Sequence, residues 1–241
     1  SYRGSFCPTS KLFTLGGSSI IQHFSYNNDI VQIFTDVQAR IGRYMNIRYN
    51  PSGNYLAAGI DGGIDGSLDI MSLQENVPIL QTSITTNICY DCAYSPDGLF
   101  LAVATNKSPF HSVYKVNPED ATQYTQITNS AGRTGTRGTS VAWNPIYTQD
   151  TGQDLFVTCI GSPFIRRLNV TETSITGGNN PPAPSGSSVG LSCCVSRDGK
   201  YLAVSFQPNE VGLCLYRIDG TQAPTLVYQI QNLQASSSMC F

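Results

Sequence analysis

The amino-acid sequence predicts an all-β fold made of repeated four-stranded units, and two observations lead to this prediction. First, one short phrase occurs five times: an apolar strand with a large residue at its end, a Pro/Gly-type turn and a second apolar strand. Second, the residues that lead each copy stand at positions 6, 49, 94, 143 and 195, so the copies are 43 to 52 residues apart. Self-similarity at about 40–50 residues, with room for about four short strands, is typical of propeller blades. The sequence therefore predicts a β-propeller of four-stranded blades, with about five repeats visible.

We expect the whole chain, residues 1–241, to form a single propeller domain. Its repeats are expected at about 1–43, 44–86, 87–137, 138–188 and 189–236, and residues 237–241 are expected to start a further inner strand. The five copies of the phrase read FCPTSKLFTLG from Phe6, YNPSGNYLAAG from Tyr49, YSPDGLFLAVA from Tyr94, WNPIYTQDTGQDLFVTC from Trp143 and VSRDGKYLAVS from Val195.

The third repeat illustrates how each element is predicted. NICYDCAY is a short apolar strand, and SPDG is a tight turn in which Pro presets φ and Gly accepts a positive φ. LFLAVAT is nearly all apolar, as expected for a strand covered on both faces, whereas HSVYKV alternates apolar and polar residues. YTQITN would be the outermost strand. In the fourth repeat an insertion, 146–151, lengthens the first turn, and the Pro/Gly/Ser-rich segment 175–188 is predicted to be a surface loop.

On these residues the chain resembles the WD40-like family of propellers. The shared phrase is an aromatic residue, Ser/Asn-Pro-Asp/Ser-Gly and a Leu-Ala pair, and it spans essentially the whole chain. The chain departs from the family in that no unit ends in Trp-Asp; the third strands end in Met71-Ser72, Lys115-Val116, Asn169-Val170 and Arg217-Ile218. The Asp–His–Ser/Thr–Trp network of typical WD40 blades is therefore not expected in this chain. The resemblance implies binding of protein partners on the flat faces.

The sequence leaves two interpretations of the ring open. The last residues, SSSMCF, resemble the start of another unit, because Phe241 stands where the next aromatic residue is expected. Either five units close a ring that the tail clasps, or the polypeptide continues into a six- or seven-bladed ring. Closure of the ring matters because an open blade edge leaves backbone groups unpaired. We expect the second interpretation, because the sequence starts at Ser1 and stops in the middle of a unit.

Composition restricts the partners. With 14 basic and 16 acidic residues, the net charge of -2 provides no basic field for nucleic acid or an anionic membrane surface. The longest apolar runs are strand-sized, so no membrane insertion is expected. The only paired basic residues, Arg166 and Arg167, are predicted to be a solvated strand end.

Eight cysteines are present, and seven of them fall in or beside expected strands. Cysteine at such positions behaves as a small buried hydrophobe, so we expect buried thiols rather than a disulfide framework. Buried thiols imply folding in a reducing cytoplasm, while a weakly charged surface rich in Ser, Thr, Asn and Gln suits exposure on a virion. Cys89 and Cys92 form a C-x-x-C, but a second pair at zinc spacing is missing.

The candidate site residues are few. Asp61, Asp65 and Asp69 in GIDGGIDGSLDI are the one candidate set for Ca²⁺, although an Asp/Gly hairpin turn explains them more simply. His23 and His111 are the only histidines, and neither belongs to a known nucleophile motif. The sequence thus predicts no catalytic residues and no cofactor.

These observations favour a non-enzymatic propeller that binds protein partners as an interaction or assembly scaffold, with a phage tail or other virion component as the expected setting. A recognition module for a glycan or another small ligand, using loops such as 175–188, is the alternative. A lactonase-like propeller hydrolase ranks third, because such enzymes need a metal or clustered carboxylates and histidines, and the chain has two histidines.

Overall fold

The computed structural model describes residues 3–27, 30–61, 67–75, 77–132, 135–146, 152–207, 212–231 and 239. Within these ranges all regular secondary structure is β-strand, and nearly every strand pair is antiparallel. The predicted all-β class is confirmed. No helix in the described ranges is long and apolar enough to span a membrane. The strands fall into two compact units, which are described separately; one comprises 1–102 and 114–125, the other 103–113 and 126–241.

Unit 1 contains a seven-stranded antiparallel sheet in which each strand pairs with the next along the chain. Its strands are β1 (Arg3–Phe6), β2 (Leu12–Gly16), β3 (Ser18–Asn27), β4 (Ile30–Tyr49), β5 (Tyr55–Asp61), β6 (Ser67–Gln74) and β7 (Val77–Thr85). Strand β4 is 20 residues long and crosses the expected boundary between the first and second repeats. Its first half pairs with β3 and its second half with β5, so one continuous strand serves as the outer strand of one repeat and the inner strand of the next.

A four-stranded sheet in the order β11-β10-β9-β8 forms the third repeat. Its strands are β8 (Cys89–Tyr94), β9 (Phe100–Thr105), β10 (His111–Val116) and β11 (Tyr124–Gln126), and the division between the two units passes through it. All six residues of β9 are buried, as the apolar run LFLAVAT predicts for a strand with no solvent face.

Unit 2 contains the fourth and fifth repeats in a nine-stranded sheet. Its strands are β12 (Thr128–Asn129), β13 (Arg137–Trp143), β14 (Gln153–Ile160), β15 (Ile165–Val170), β16 (Ser174–Gly177), β17 (Val189–Val195), β18 (Tyr201–Gln207), β19 (Leu213–Arg217) and β20 (Thr225–Ile230). Strands β13 to β16 are the fourth repeat and β17 to β20 the fifth. The segment predicted to be a surface loop, 175–188, begins within β16 and is irregular from 178 onward.

The turns of the repeated phrase form as their residues predict. In the third repeat Ser95 Oγ donates to Asp97 Oδ1 at 2.5 Å and accepts a hydrogen bond from the backbone N–H of Phe100. The fifth repeat has the same arrangement around Ser196 and Asp198, at 2.6 Å. The glycine that follows each aspartate has a positive φ, which a residue with a Cβ adopts only at a cost. The Ser-x-Asp-Gly sequence therefore fixes the turn and the register of the strand that follows.

Hydrophobic clusters join adjacent repeats. In unit 1, Leu12 and Ile21 of the first repeat pack against Tyr49, Leu56 and other residues of the second. In unit 2, Phe156 and Ile165 of the fourth repeat pack against Leu202, Tyr216 and other residues of the fifth. Burial of an aromatic or branched aliphatic side chain stabilises the fold by about 1.5–3 kcal/mol. These joints between repeats form the core in both units.

Candidate functional site

A buried ion pair connects the second and third strands of the fourth repeat. Arg167 Nη2 contacts Asp154 Oδ2, and only 5% of the arginine side chain and 18% of the aspartate side chain are exposed. Arg167 on β15 lies opposite Phe156 on β14, two residues after Asp154. Residues two apart on a strand point to the same face, so the pairing register brings the two charges together diagonally. The prediction that Arg166-Arg167 is a solvated strand end is wrong for Arg167, which is 4% exposed.

Arg167 also holds the turn between β19 and β20 against the ion pair. Its Nη1 donates to the carbonyl oxygen of Gln222 at 2.7 Å, and its Nη2 donates to the carbonyl oxygen of Gly220. The irregular segment after β16 adds a second tie, since Asn179 Nδ2 donates to the carbonyl oxygen of Thr221 at 2.9 Å. The guanidinium thus positions both a carboxylate and a surface turn, which suits its rigid fork of donors.

Three glycines with positive φ border this region. They are Gly152 (φ 75), directly before β14, Gly199 (φ 68), in the turn before β18, and Gly220 (φ 53), in the turn after β19. A Cβ on Gly152 would lie 2.6 Å from Asn169 Oδ1, and one on Gly199 would lie 2.4 Å from Asn144 Oδ1. A side chain at Gly152 or Gly199 would therefore clash with an asparagine and fill the space in front of it, whereas a Cβ on Gly220 would meet no atom within 4 Å.

The space is a cavity of about 290 Å³. Six of the eleven described residues that line it are polar or charged, namely Asn144, Asp154, Arg167, Asn169, Lys200 and Thr221. Ile146 and Ile218 supply the apolar wall. This volume lies at the lower end of the roughly 300–1,000 Å³ typical of small-molecule sites, so the cavity matches a ligand of monosaccharide size.

The residues around the cavity define what it can do chemically. A carboxylate held by a buried arginine is a fixed hydrogen-bond acceptor, and the amides of Asn144 and Asn169 contain both donors and acceptors. Lys200, an exposed residue that lines the same cavity, carries a positive charge. Such a set suits a small ligand that is rich in hydroxyl and carbonyl groups.

Two of the three candidate Ca²⁺ aspartates, Asp61 and Asp69, lie in the described residues, and each contacts other side chains. Asp61 ends β5 and accepts a 3.0 Å contact from Arg43 Nη2. Asp69 is buried in β6, where Ser83 Oγ donates to its Oδ1 at 2.5 Å and Ser67 Oγ does so at 3.4 Å. Asp65 lies outside the described residues. No group of three or more His, Cys, Asp or Glu residues with metal-binding geometry occurs in the described ranges.

Both histidines are fully buried and hydrogen-bonded. In unit 1, Thr14 Oγ1 lies 2.6 Å from His23 Nδ1 and 2.5 Å from the hydroxyl of Tyr49. In unit 2, Asn129 Nδ2 donates to His111 Nε2 at 3.0 Å. Burial lowers the pKa of each imidazole to about 4, because the charged form is disfavoured away from water. Both histidines are therefore neutral at pH 7 and serve the fold.

The cysteines agree with the sequence-based expectation. No disulfide joins the seven cysteines in the described residues, and all except the half-buried Cys194 are buried. Burial raises the pKa of the Cys159 thiol to about 12, so this thiol is protonated and unreactive at neutral pH. Cys240 lies outside the described residues.

Comparison with known proteins supports the fold but identifies no family. No protein-family model matches the chain, and no curated protein matches it. Among solved structures, the periplasmic gluconolactonase of Pseudomonas aeruginosa is similar with a TM-score of 0.77 and 14% identity, over 95% of this chain and 71% of that one. A protein from Bacteroides uniformis assigned as a 6-phosphogluconolactonase has a TM-score of 0.74 and 11% identity, over 96% of this chain and 71% of that one. A chain of the mitotic checkpoint complex has a TM-score of 0.66 and 16% identity, over 86% of this chain and 61% of that one.

These likenesses confirm the predicted β-propeller class, while the number of blades stays a prediction. They also correct two predictions. The chain was expected to be a non-enzymatic scaffold and not an enzyme, and this is wrong because two of the similar structures are named as lactonases. The expectation relied on the small number of histidines, which are common catalytic bases. A carboxylate can also activate water, and a cation can stabilise an oxyanion. Asp154 and Lys200, which both line the cavity, are residues of these two types.

Proposed function

We propose that this protein is a hydrolase of small sugar-derived lactones and that the cavity of unit 2 is its active site. The observation that carries the proposal is the buried Asp154–Arg167 pair facing a cavity of about 290 Å³. The lactonase names of two similar structures support the reaction class by analogy of fold.

In the proposed reaction Asp154 acts as a general base. Its carboxylate takes a proton from water while the water oxygen bonds to the lactone carbonyl carbon, and the carbonyl oxygen becomes an oxyanion. The tetrahedral intermediate then collapses, the ring C–O bond breaks, and the departing ring oxygen takes the proton back from Asp154. One water is consumed and one hydroxy acid is formed. General base catalysis of this kind contributes about 10²–10⁴-fold to the rate.

The other groups have separate roles in this proposal. The ammonium of Lys200 stabilises the oxyanion, because a cation aimed at developing negative charge lowers the barrier. Arg167 is a positioning residue, since three of its five N–H donors already bond Asp154 and two backbone carbonyls. Asn144 is a second positioning residue, because its Nδ2 donates to the carbonyl oxygen of Gly199 and its Oδ1 accepts from the backbone N–H of Ile146. Asn169 selects hydroxyl-bearing ligands through its amide.

Ring opening of glucono-δ-lactone, followed by pH-stat titration of the acid released, tests the proposal. We expect turnover at least about 100-fold above the spontaneous rate, and slower turnover of δ-valerolactone, which lacks the hydroxyl groups. Lys200→Met should reduce turnover about tenfold or more, whereas Lys107→Met, on a turn outside the cavity lining, should leave it unchanged. Rates equal to the spontaneous rate for every sugar lactone tried, or equal effects of the two lysine variants, would contradict the proposal.

Two finer inferences remain predictions. The relation to WD40-like propellers is supported by the repeated phrase, and its departures at the third-strand ends leave the subfamily open. Protein partners are expected from the WD40-like resemblance, with a glycan as the alternative ligand. Nucleic acid and membrane insertion are not expected, because the net charge is -2 and the apolar runs are strand-sized.

A further inference from the structure

The charges around the cavity of unit 2 limit which ligands it can hold. Among the described residues, three charged side chains line it, those of Asp154, Arg167 and Lys200. The two members of the ion pair are unequally exposed, since 18% of the Asp154 side chain and 5% of the Arg167 side chain are exposed. A ligand in the cavity therefore meets the carboxylate of this pair more than it meets the guanidinium.

The guanidinium of Arg167 is occupied by other partners. Its Nη2 donates to Asp154 and to the carbonyl oxygen of Gly220, and its Nη1 donates to the carbonyl oxygen of Gln222 at 2.7 Å. An arginine holds a phosphate best through a fork of two parallel N–H groups. Each fork of a guanidinium includes one hydrogen of Nη2, and both of those hydrogens are taken. Arg167 therefore has no complete fork left for a phosphate.

The cations in the turns beside the cavity are interspersed with carboxylates. Lys200 is exposed, and its backbone N–H donates to Asp198 Oδ1 at 3.1 Å. Arg197 lies in the same turn but is not part of the cavity lining. In the neighbouring turn Arg217 Nε contacts Asp219 Oδ2 at 2.8 Å, and both side chains are more than half exposed. The positive charges of these turns are therefore compensated or solvated.

The remaining polar groups of the lining suit a neutral ligand. The three successive carbonyls of 220–222 accept hydrogen bonds from side chains of the fourth repeat. Backbone N–H groups often bind phosphate at a helix N-terminus, but all regular secondary structure in the described ranges is β-strand. Asn169 pairs with Asp154 across β15 and β14, so an amide stands beside the carboxylate. Thr221 adds a hydroxyl to the lining.

We propose that the cavity selects uncharged sugar lactones and that Asp154 is the residue that discriminates against phosphorylated ones. This inference rests on the proposed function and narrows its substrate class. The hydroxyl groups of a neutral lactone can donate to Asp154 and can both donate to and accept from the amide of Asn169. A phosphate would face a fixed carboxylate while both forks of Arg167 are occupied. Such an unfavourable contact contributes to specificity as much as a favourable one does.

Isothermal titration calorimetry of the 241-residue chain tests the selection without any need for turnover. The ligands are D-glucono-δ-lactam, a neutral analogue whose amide resists hydrolysis, and its 6-phosphate. We expect the neutral lactam to bind at least about tenfold more tightly than the phosphorylated one, because like charges placed together are costly. The same preference should appear in kcat/KM for the two parent lactones, followed by pH-stat titration.

The two measurements separate this inference from the proposed function. Equal or tighter binding of the phosphorylated lactam overturns the inference, even if lactones are hydrolysed. A preference for the neutral lactam without hydrolysis of either lactone supports the charge selection and contradicts the proposed function. Binding of neither lactam overturns both.

Variants then test the role of Asp154. Asp154→Asn should bring the two affinities at least about fivefold closer, because it removes the repulsion and leaves the charge of Arg167 uncompensated. Asp61→Asn also removes a carboxylate from an arginine pair, lies outside the cavity lining and should leave the ratio of affinities unchanged. An unchanged ratio in folded Asp154→Asn would overturn the role of Asp154.

Lys200→Met keeps the proposal testable if Asp154→Asn does not fold, because Lys200 is exposed. We expect this change to alter the ratio of the two affinities by less than about threefold, since a solvated lysine contributes little selectivity between the lactams. A loss of affinity confined to the phosphorylated lactam would show that Lys200 binds the phosphate, and it would overturn the proposal.

Discussion

Two arginine–aspartate pairs in this molecule have opposite surroundings. Arg43 and Asp61 in unit 1 meet at 3.0 Å with 68% of the arginine side chain exposed, whereas 5% of Arg167 is exposed beside Asp154 in unit 2. The first pair is solvated and joins two neighbouring strands, β4 and β5. The second also holds two carbonyls of a turn and faces a cavity.

The difference teaches that burial and a neighbouring cavity distinguish a candidate site from a surface ion pair. An exposed pair contributes about 0–1 kcal/mol to stability because water screens it. Removing one partner of a buried pair leaves an uncompensated charge, which costs about 3–5 kcal/mol. The proposed function gives the carboxylate of Asp154 a catalytic role.

The largest effect on stability is expected from removing each arginine. Arg167→Met should lower the free energy of unfolding by about 3–5 kcal/mol, since Asp154 and the carbonyls of Gly220 and Gln222 lose their donor. Arg43→Met should lower it by less than about 1 kcal/mol. Urea unfolding followed by circular dichroism measures both. Equal losses for the two variants would remove the distinction between the pairs.

Mild acid should destabilise the protein through its two buried histidines. The folded-state pKa of His23 and of His111 is about 4, below the ordinary 6.5, so the unfolded chain takes up protons first as the pH falls. The stability contributed by the neutral imidazoles is therefore complete above pH 6.5 and is lost between pH 6.5 and 4. The slope is about 1.4 kcal/mol per pH unit for each histidine.

Urea unfolding at a series of pH values tests this assignment. His111→Gln should retain a hydrogen bond to Asn129 and reduce the slope by about half. A slope unaffected by both His111→Gln and His23→Gln would mean that other groups bind the protons.

A smaller effect is expected from closing the cavity at a glycine. Gly199→Ala and Gly186→Ala both place alanine at a positive φ, 68 and 80, but a Cβ would lie 2.4 Å from Asn144 Oδ1 only in the first. Gly186 has no atom within 4 Å of its virtual Cβ, so it is the matched control. Both changes cost the backbone strain of about 1 kcal/mol, and Gly199→Ala should cost about 1 kcal/mol more. Thermal unfolding measures the difference in stability between the two variants. Identical melting temperatures would show that the edge of the cavity accommodates the added Cβ at no cost.

The fold was largely predictable because its signals are local. The spacing of the repeated phrase gives the repeats, and the Ser-Pro-Asp-Gly turn gives the strand ends through bonds within five residues of Ser95. The 20-residue strand β4 was not predicted, because a strand shared by two repeats leaves no turn signal between them.

The candidate site was missed because it depends on contacts distant in sequence. The sequence analysis selected Asp61, Asp65 and Asp69 because three aspartates close together in a Gly-rich segment can be recognised from the sequence alone. Asp154 meets Arg167 only through the register of β14 and β15, and Gly220 joins them from 53 residues away. One signal was available: a charge at the start of an apolar strand, DLFVTC, followed by an Arg-Arg pair on the next strand.

The most direct test of the account compares lactone hydrolysis by Asp154→Asn and Asp61→Asn. Each change removes one carboxylate from an arginine pair and preserves its size. The account predicts that Asp154→Asn lowers kcat for glucono-δ-lactone at least about 100-fold, while Asp61→Asn keeps the rate of the unaltered chain. Full activity in a folded Asp154→Asn variant would contradict the assignment of the cavity as the active site.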